Sequence, residues 1–454
     1  MKTFTAIWFG QLISRLGSSL TGFALDVWVY RETNSVTQFA LLTVSMTLPY
    51  VLISPVAGTL VDRWSRRWTM LISHFCAALC ILAIGVLYYF HHLELWHIYL
   101  ALAASSCFNA FNWTAFKAAI VTLVSKEKLP QASSMTELGA AIVRLIGPVT
   151  GGFLLGVLQV EGVIFVDFAT VFFALIPLSL LRFPEIASWE TQLSEQQSVV
   201  QATIEGWNYL LERKGLLGLL LVRAFYNFLV GAAIVLTTPL ILTLTVASRL
   251  GIILTLAGVG TLIGSLMLSS WGKKQEQLIN IILACLLLSG VSIAIAGSRP
   301  SLYLFTIAGF VFCFGLPLIN GLTQVILQKK VAPNVQGRIF AINGMFLTAT
   351  PPIAAALFGP LADEIFEPLL AFEGPWADGI GAIIGTGPGR GIGFLFIVIG
   401  IVTVLTSLLS SRYAPLRKLE IELPDLDFVP ASNANSTTQE TEATSLDSSP
   451  MTTQ

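Results

Sequence analysis

Residues 36–61 and 68–90 are two long apolar runs, and the few positions between them carry an aspartate and three arginines. About 20 apolar residues cross the hydrocarbon of a bilayer as a helix. A backbone in lipid must satisfy its own hydrogen bonds, so such a run crosses as a helix. A turn holding Asp62, Arg63, Arg66 and Arg67 cannot lie inside that layer and must sit at a membrane surface. Apolar runs of this kind recur about twelve times: roughly 4–30, 36–61, 68–90, 97–124, 133–158 and 161–181, then 216–245, 249–271, 277–297, 301–328, 337–360 and 389–412. The first of them holds Arg15 and Asp26 and is too long for the core of a signal peptide, so it reads as a span.

Composition agrees. Of 454 residues 55% are hydrophobic and only 11% charged, where a soluble domain carries about 25%. The mean hydropathy is +0.78. So few charges cannot coat a globule in water, and the class is an all-α integral membrane protein. A net charge of −1 with no compact basic domain argues against nucleic acid as a partner. All five cysteines fall inside apolar runs and read as small buried side chains, not as metal ligands. His74, His91, His92 and His97 lie near span ends and read as interfacial.

Charge sets the expected orientation. With the N-terminus in the cytoplasm, only Arg31, Arg249, Arg299 and Arg390 fall on the outer side, and Arg15, Lys117, Arg144 and Arg223 fall within spans. The remaining 17 of the 25 lysines and arginines are then cytoplasmic, which favours both termini inside. The expected division is a six-helix bundle over 1–181, a cytoplasmic linker with an amphipathic helix over 182–215, a second six-helix bundle over 216–412, and a disordered cytoplasmic tail over 413–454. Gly58-Thr59-Leu60 is echoed by Gly264-Ser265-Leu266, and Arg66-Arg67 by Lys273-Lys274, which suggests two related bundles. Residues 361–388 are acidic without a lysine or arginine before Arg390, and read as an outer loop whose glycine-rich end folds back on the membrane.

Gly58, Asp62, Arg63, Arg66 and Arg67 fall in the spacing G-x-x-x-D-R-x-x-R-R. Gly147-Pro148-Val149-Thr150-Gly151-Gly152 lies on the fifth span, where proline bends a helix and glycines admit a close neighbour. The loop spacing resembles the signature between helices 2 and 3 of the major facilitator superfamily. Within it, Gly10 to Ser18, Phe23 to Tyr30 and Val331 to Arg338 resemble the macrolide-efflux and siderophore-export branch. The resemblance covers about 4–412 and implies two pseudo-symmetric bundles around a central cavity. It implies that the loop Gly58, Asp62, Arg63, Arg66, Arg67 latches the halves in the outward-facing state. It also implies that Gly147, Pro148, Gly151 and Gly152 form a helix-5 antiporter motif. In one respect the chain departs from many drug exporters: the fourth span carries only Lys117 and no R-x-x-x-G.

Charges inside spans cost about 2.5–3.5 kcal/mol each on insertion scales and usually face an interior cavity. Arg15 and Asp26 share one face of the first span about 16 Å apart. Arg144 and Glu137 share a face of the fifth, Lys117 lies at a depth that could reach Glu137, and Asp167 lies on the sixth. A proton-coupled carrier needs a carboxylate that is neutral in one state and charged in another. Asp26 is the first candidate, followed by Glu137 and Asp167, with Arg15 and Arg144 lining the cavity. No P-loop and no nucleophile–base constellation is present, so the drive is an ion or substrate gradient, no cofactor is called for, and an enzyme is not expected. The resemblance implies a monomeric plasma (inner) membrane exporter of a hydrophobic or amphipathic organic compound, working by proton antiport. Uniport or symport of a small metabolite is the alternative, and a receptor or scaffold is a third.

Overall fold

The computed structural model describes residues 2–61, 63–125, 128–180, 199–270 and 277–422. In chain order its helices are α1 (Lys2–Thr33), α2 (Val36–Val61), α3 (Arg66–Tyr89), α4 (Leu95–Leu123), α5 (Leu129–Leu180), α6 (Val199–Glu212), α7 (Lys214–Leu242), α8 (Ala247–Ser270), α9 (Leu278–Ser298), α10 (Leu302–Lys330) and α11 (Pro333–Pro360). They continue with α12 (Glu367–Leu369), α13 (Ile380–Ile384), α14 (Arg390–Arg412), α15 (Ala414–Arg417) and α16 (Leu419–Glu422). Nine of the described helices are long and apolar enough to cross a membrane. α1 and α4 match them in length, at 32 and 29 residues, with more polar side chains.

The expected fifth and sixth spans appear as the single helix α5, interrupted only at Gln159, whose φ of 58° lies in the left-handed region. The two arms run in opposite directions. Trp8 and Ser19 of α1 meet Met135 and Gly147 in order, so α1 and the first arm are parallel. Gly10 and Gly17 meet Phe173 and Thr170, so the second arm is antiparallel to α1. Counting the arms separately gives twelve rods.

Where rods approach most closely, the residue is glycine. Gly290 and Gly297 of α9 face Gly400 and Gly393 of α14, seven residues apart on each helix. With no hydrophobic drive between helices in lipid, close backbone packing of this kind supplies the attraction. The same pairing recurs in both halves. α1 lies along the first arm of α5 as α7 lies along α11, and α2 along α4 as α8 along α10. The halves meet through α5 with α8 and through α2 with α11, two contacts that exchange under a six-helix shift.

Two stretches differ from the sequence reading. α11 does not stop near residue 360. It runs through a π-helical turn, Leu361–Phe366, into α12. The following residues 370–389 form turns and α13, tied back by Gly387 N donating to Leu370 O at 2.9 Å. The expected disordered tail begins with the packed turns α15 and α16, where Leu416 and Leu419 are buried and Glu420 accepts from Ile279 N at 2.7 Å. The helix expected in the linker is α6, and Glu205 pairs with Arg338 of α11 at 2.5 Å. The rest of the tail and residues 182–198 lie outside the described residues.

The α5–α8 seam is set by Gly251, whose backbone sits under the Pro148 carbonyl, with Pro148 C 3.0 Å from where a Cβ would stand. Gly251→Val therefore overpacks the seam, and we expect a loss of about 1–3 kcal/mol, read as a lower thermal unfolding midpoint of the purified protein. Gly258→Val on the same helix, whose nearest neighbour is Leu145 Cδ1 at 3.5 Å, should be tolerated far better.

Candidate functional site

On α1, Arg15, Gly22 and Asp26 recur every seven and four residues and form one stripe. A Cβ at Gly22 would find no atom within 4 Å, so the stripe is open at Gly22, while Arg15 and Asp26 on either side are half-buried. On the first arm of α5, Gly147 and Gly151 face α1, whereas Pro148 and Gly152 face α8. Glu137 and Arg144 project between these two stripes and are exposed. Both sets therefore front the same gap between the halves.

Arg15 lies over the indole of Trp113, 4.4 Å from its centroid. Lys117 approaches the same ring at 5.2 Å, instead of pairing with Glu137 as its depth suggested. Arg144 donates from Nε to Ala140 O at 3.4 Å. Arg15, Glu137 and Arg144 are thus brought together, with Asp26 three turns further along the stripe.

Asp167 is not on the gap. It lies behind α1, inside the N-terminal bundle, where Ser18 donates to it at 3.3 Å. Only glycine at position 17 lets α1 come this close, since Asp167 Cα stands 3.1 Å from a Cβ there. His74 shares this pocket and is buried, not interfacial. Its ring nitrogens lie 2.9 Å from Ser14 Oγ and 2.9 Å from Asn112 Nδ2. A cavity of about 30 Å³ separates the His74 and Asp167 clusters, enough for one water. Arg223 on α7 is likewise held structurally, donating to Asn320 Oδ1 at 3.0 Å.

The loop 58–67 is anchored to its own half. Arg66 donates to Ala118 O at 3.1 Å, and Arg67 to Leu178 O at 2.8 Å and to Ser179 O. Leu178 and Ser179 lie in the last turn of α5, whose carbonyls carry the negative end of the helix dipole, and Ala118 lies one turn short of that position in α4. Two arginines expected at the lipid surface therefore tie helix ends together. Arg63 is exposed, and a Cβ at Gly58 would meet nothing within 4 Å. Asp62 lies outside the described residues.

The opposite end is closed by a group the sequence reading passed over. Asp363, on the π-helical turn after α11, accepts from Ser35 Oγ at 2.6 Å, Val36 N at 2.9 Å and Thr37 N at 2.8 Å. It caps α2 from the other half. Gly359 beside it packs on Ala40 of α2, at 2.9 Å from Cβ to Cβ position. Along α5–α8 the contacts run from Gly152 against Ala247 to Thr255 Oγ1 donating to Leu145 O at 2.9 Å. Toward the basic end, Gly58, Gly337 and Gly344 all stand in open space. The halves meet at the acidic end and part toward the basic one. Sequence could flag Ser35 before α2 as an N-cap signal. It could not name a capping carboxylate 328 positions away.

Asp363→Ala removes a charged acceptor of three hydrogen bonds, each worth about 1.5–3 kcal/mol. We expect a cysteine placed at Ala40, 1% exposed in the wild type, to react several-fold faster with a membrane-impermeant thiol reagent in the Asp363→Ala background. Equal rates would mean that the cap does not hold this end shut.

Comparison with known proteins agrees with this architecture. The chain is 25% identical over 374 residues to macrolide efflux protein A of Streptococcus pyogenes, covering 80% of this chain and 90% of that one. It is 25% identical over 420 residues to the enterobactin exporter EntS of Shigella flexneri, covering 91% and 94%. It is 24% identical over 368 residues to the multidrug efflux pump Tap of Mycolicibacterium fortuitum, covering 79% and 88%. Among solved structures, a bacterial homologue of the human lysosomal transporter Spinster, inward-facing and unoccupied, superposes with a TM-score of 0.70 at 13% identity over 92% and 98% of the two chains. The sequence pattern of the Major Facilitator Superfamily matches residues 7–355, and the chain, a multi-pass membrane protein, belongs to that family of transporters.

Proposed function

We propose that this protein exports a hydrophobic or amphipathic organic compound in exchange for protons, by exposing the gap between its halves to alternate sides of the membrane. The observation that carries this reading is the Arg15–Gly22–Asp26 stripe, open at Gly22, between halves whose described residues meet toward the acidic end. Intramembrane charges are costly to keep and are retained where they act. The relatives named for macrolide efflux, multidrug efflux and enterobactin export support a drug-like or siderophore-like substrate and an outward direction.

The basic end would lie in the cytoplasm of a plasma-membrane protein, with both chain termini inside. The gap then opens inward, and substrate loads from the cytoplasm or inner leaflet. Asp26 would take up the proton at the outer side, since it lies nearest the closed acidic end. For the outward-facing state, the halves must part at Asp363 and meet around Gly58, where Asp62 and Arg63 would supply the latch. Gly147, Pro148, Gly151 and Gly152 sit between α1 and α8, at the contact about which the halves would rock.

The test is transport of radiolabelled enterobactin, the compound named for one relative, into proteoliposomes containing the full chain. An imposed pH gradient should drive accumulation. Asp26→Asn should cut the gradient-driven component by more than about tenfold, equivalent to ~1.4 kcal/mol, while downhill movement persists. Transport that ignores the pH gradient would remove proton coupling from the account.

A further inference from the structure

We infer that the exported compound is an amphipathic anion, whose acidic group is held by Arg15 and Arg144 while its apolar body lies against the indole of Trp113. This rests on the transport reading and narrows its substrate.

The register of α1 on the first arm of α5 places the two guanidinium groups at one depth. Trp8 Nε1 donates to Met135 O at 2.9 Å, and Ser19 Cβ stands 3.1 Å from the Cβ position of Gly147. The residue numbers in these pairs differ by 127 and 128, so Arg15 is level with residue 142 or 143, within a turn of Arg144. Both side chains front the gap. Lys117 brings a third positive charge to the other cation's ring, Trp113.

Positive charge at this depth is only partly balanced, with Glu137 set against Arg15, Lys117 and Arg144. Among the described residues, none of Arg15, Lys117 and Arg144 forms an ion pair. The nearest acid is Glu137, seven residues below Arg144 and about 10 Å along the axis. The facing half brings none: α7 to α11 and α14 contain no aspartate or glutamate. Like charges held this close repel, and guanidinium forks fit carboxylate, sulfonate or phosphate oxygens in pairs. An anion from the substrate completes this cluster, whereas a cationic amphipath would add to its repulsion. The flat indole, packed against Phe116 with ring centroids 5.7 Å apart, offers an apolar wall beside the charge. An inside-negative membrane potential also drives an anion outward, in the direction of export.

Binding separates this from the transport reading, because it needs no gradient. The full-length protein in nanodiscs is titrated with 8-anilinonaphthalene-1-sulfonate and, separately, with the hydrophobic cation rhodamine 6G. The wild type should prefer the arylsulfonate. Arg15→Gln and Arg144→Gln should each weaken it by about tenfold or more, the loss expected for a hydrogen bond to a charged group. Arg144→Lys should recover part of that loss, and rhodamine binding should hold or tighten. Equal affinity of the wild type for the two dyes would overturn the inference even if a variant failed to fold. So would an unchanged arylsulfonate affinity in the double variant, or an equal fall for both dyes.

Discussion

A carboxylate at the start of a helix holds the two halves of this protein together at one end. The first amide groups of a helix have no partner within it, and a carboxylate placed there satisfies them and complements the helix dipole. Asp363 meets those amides on α2 from the far half of the chain. One π-helical turn on, Glu367 does the same for α14, accepting from Gly389 N at 3.0 Å and Ile392 N at 2.8 Å. The two acids explain why α11 continues past Pro360: the extension carries each to a helix end that needs it. Of the two caps, only that of Asp363 joins one half to the other.

The remaining contacts sort by what fills them. Within each half, glycine lines the seams, and backbones approach as closely as side-chain-free surfaces allow. Between the halves, among the described residues, glycine performs the same task near the acidic end, at Gly152, Gly251 and Gly359. Beyond that the rods diverge, and the polar residues of α1, α4 and α5 front the opening. Filled and unfilled faces thus alternate around α1. One face packs on α5, one carries Ser14 and Ser18 toward His74 and Asp167, and one carries Arg15 and Asp26 into the gap.

The rods were legible because hydrocarbon allows one backbone solution and apolar length measures it directly. Arg15 and Asp26 were legible as a stripe because helical periodicity fixes which residues share a face. What failed was any inference needing a partner from another helix. Asp167 and Arg15 are equally intramembrane in sequence, yet the rotation of α5 sends Asp167 behind α1, away from Arg15. His74 looked interfacial from its distance to a span end, but Ser14 and Asn112 draw it into the bundle. Arg66 and Arg67 read only as part of a turn at the membrane surface, because the carbonyls of α4 and α5 that they reach lie more than 50 positions away.

Alternating access requires that closing one end opens the other. Spin labels at Glu32 and Glu364 report the acidic end across the halves, and labels at Ser65 and Gly337 report the basic end; all four positions are exposed. Pulsed electron paramagnetic resonance in nanodiscs, with and without Asp363→Ala, measures both distances. Lengthening at the acidic pair should accompany shortening at the basic pair. If the acidic pair lengthens while the basic pair stays fixed, the halves do not rock against each other and alternating access through this gap is wrong.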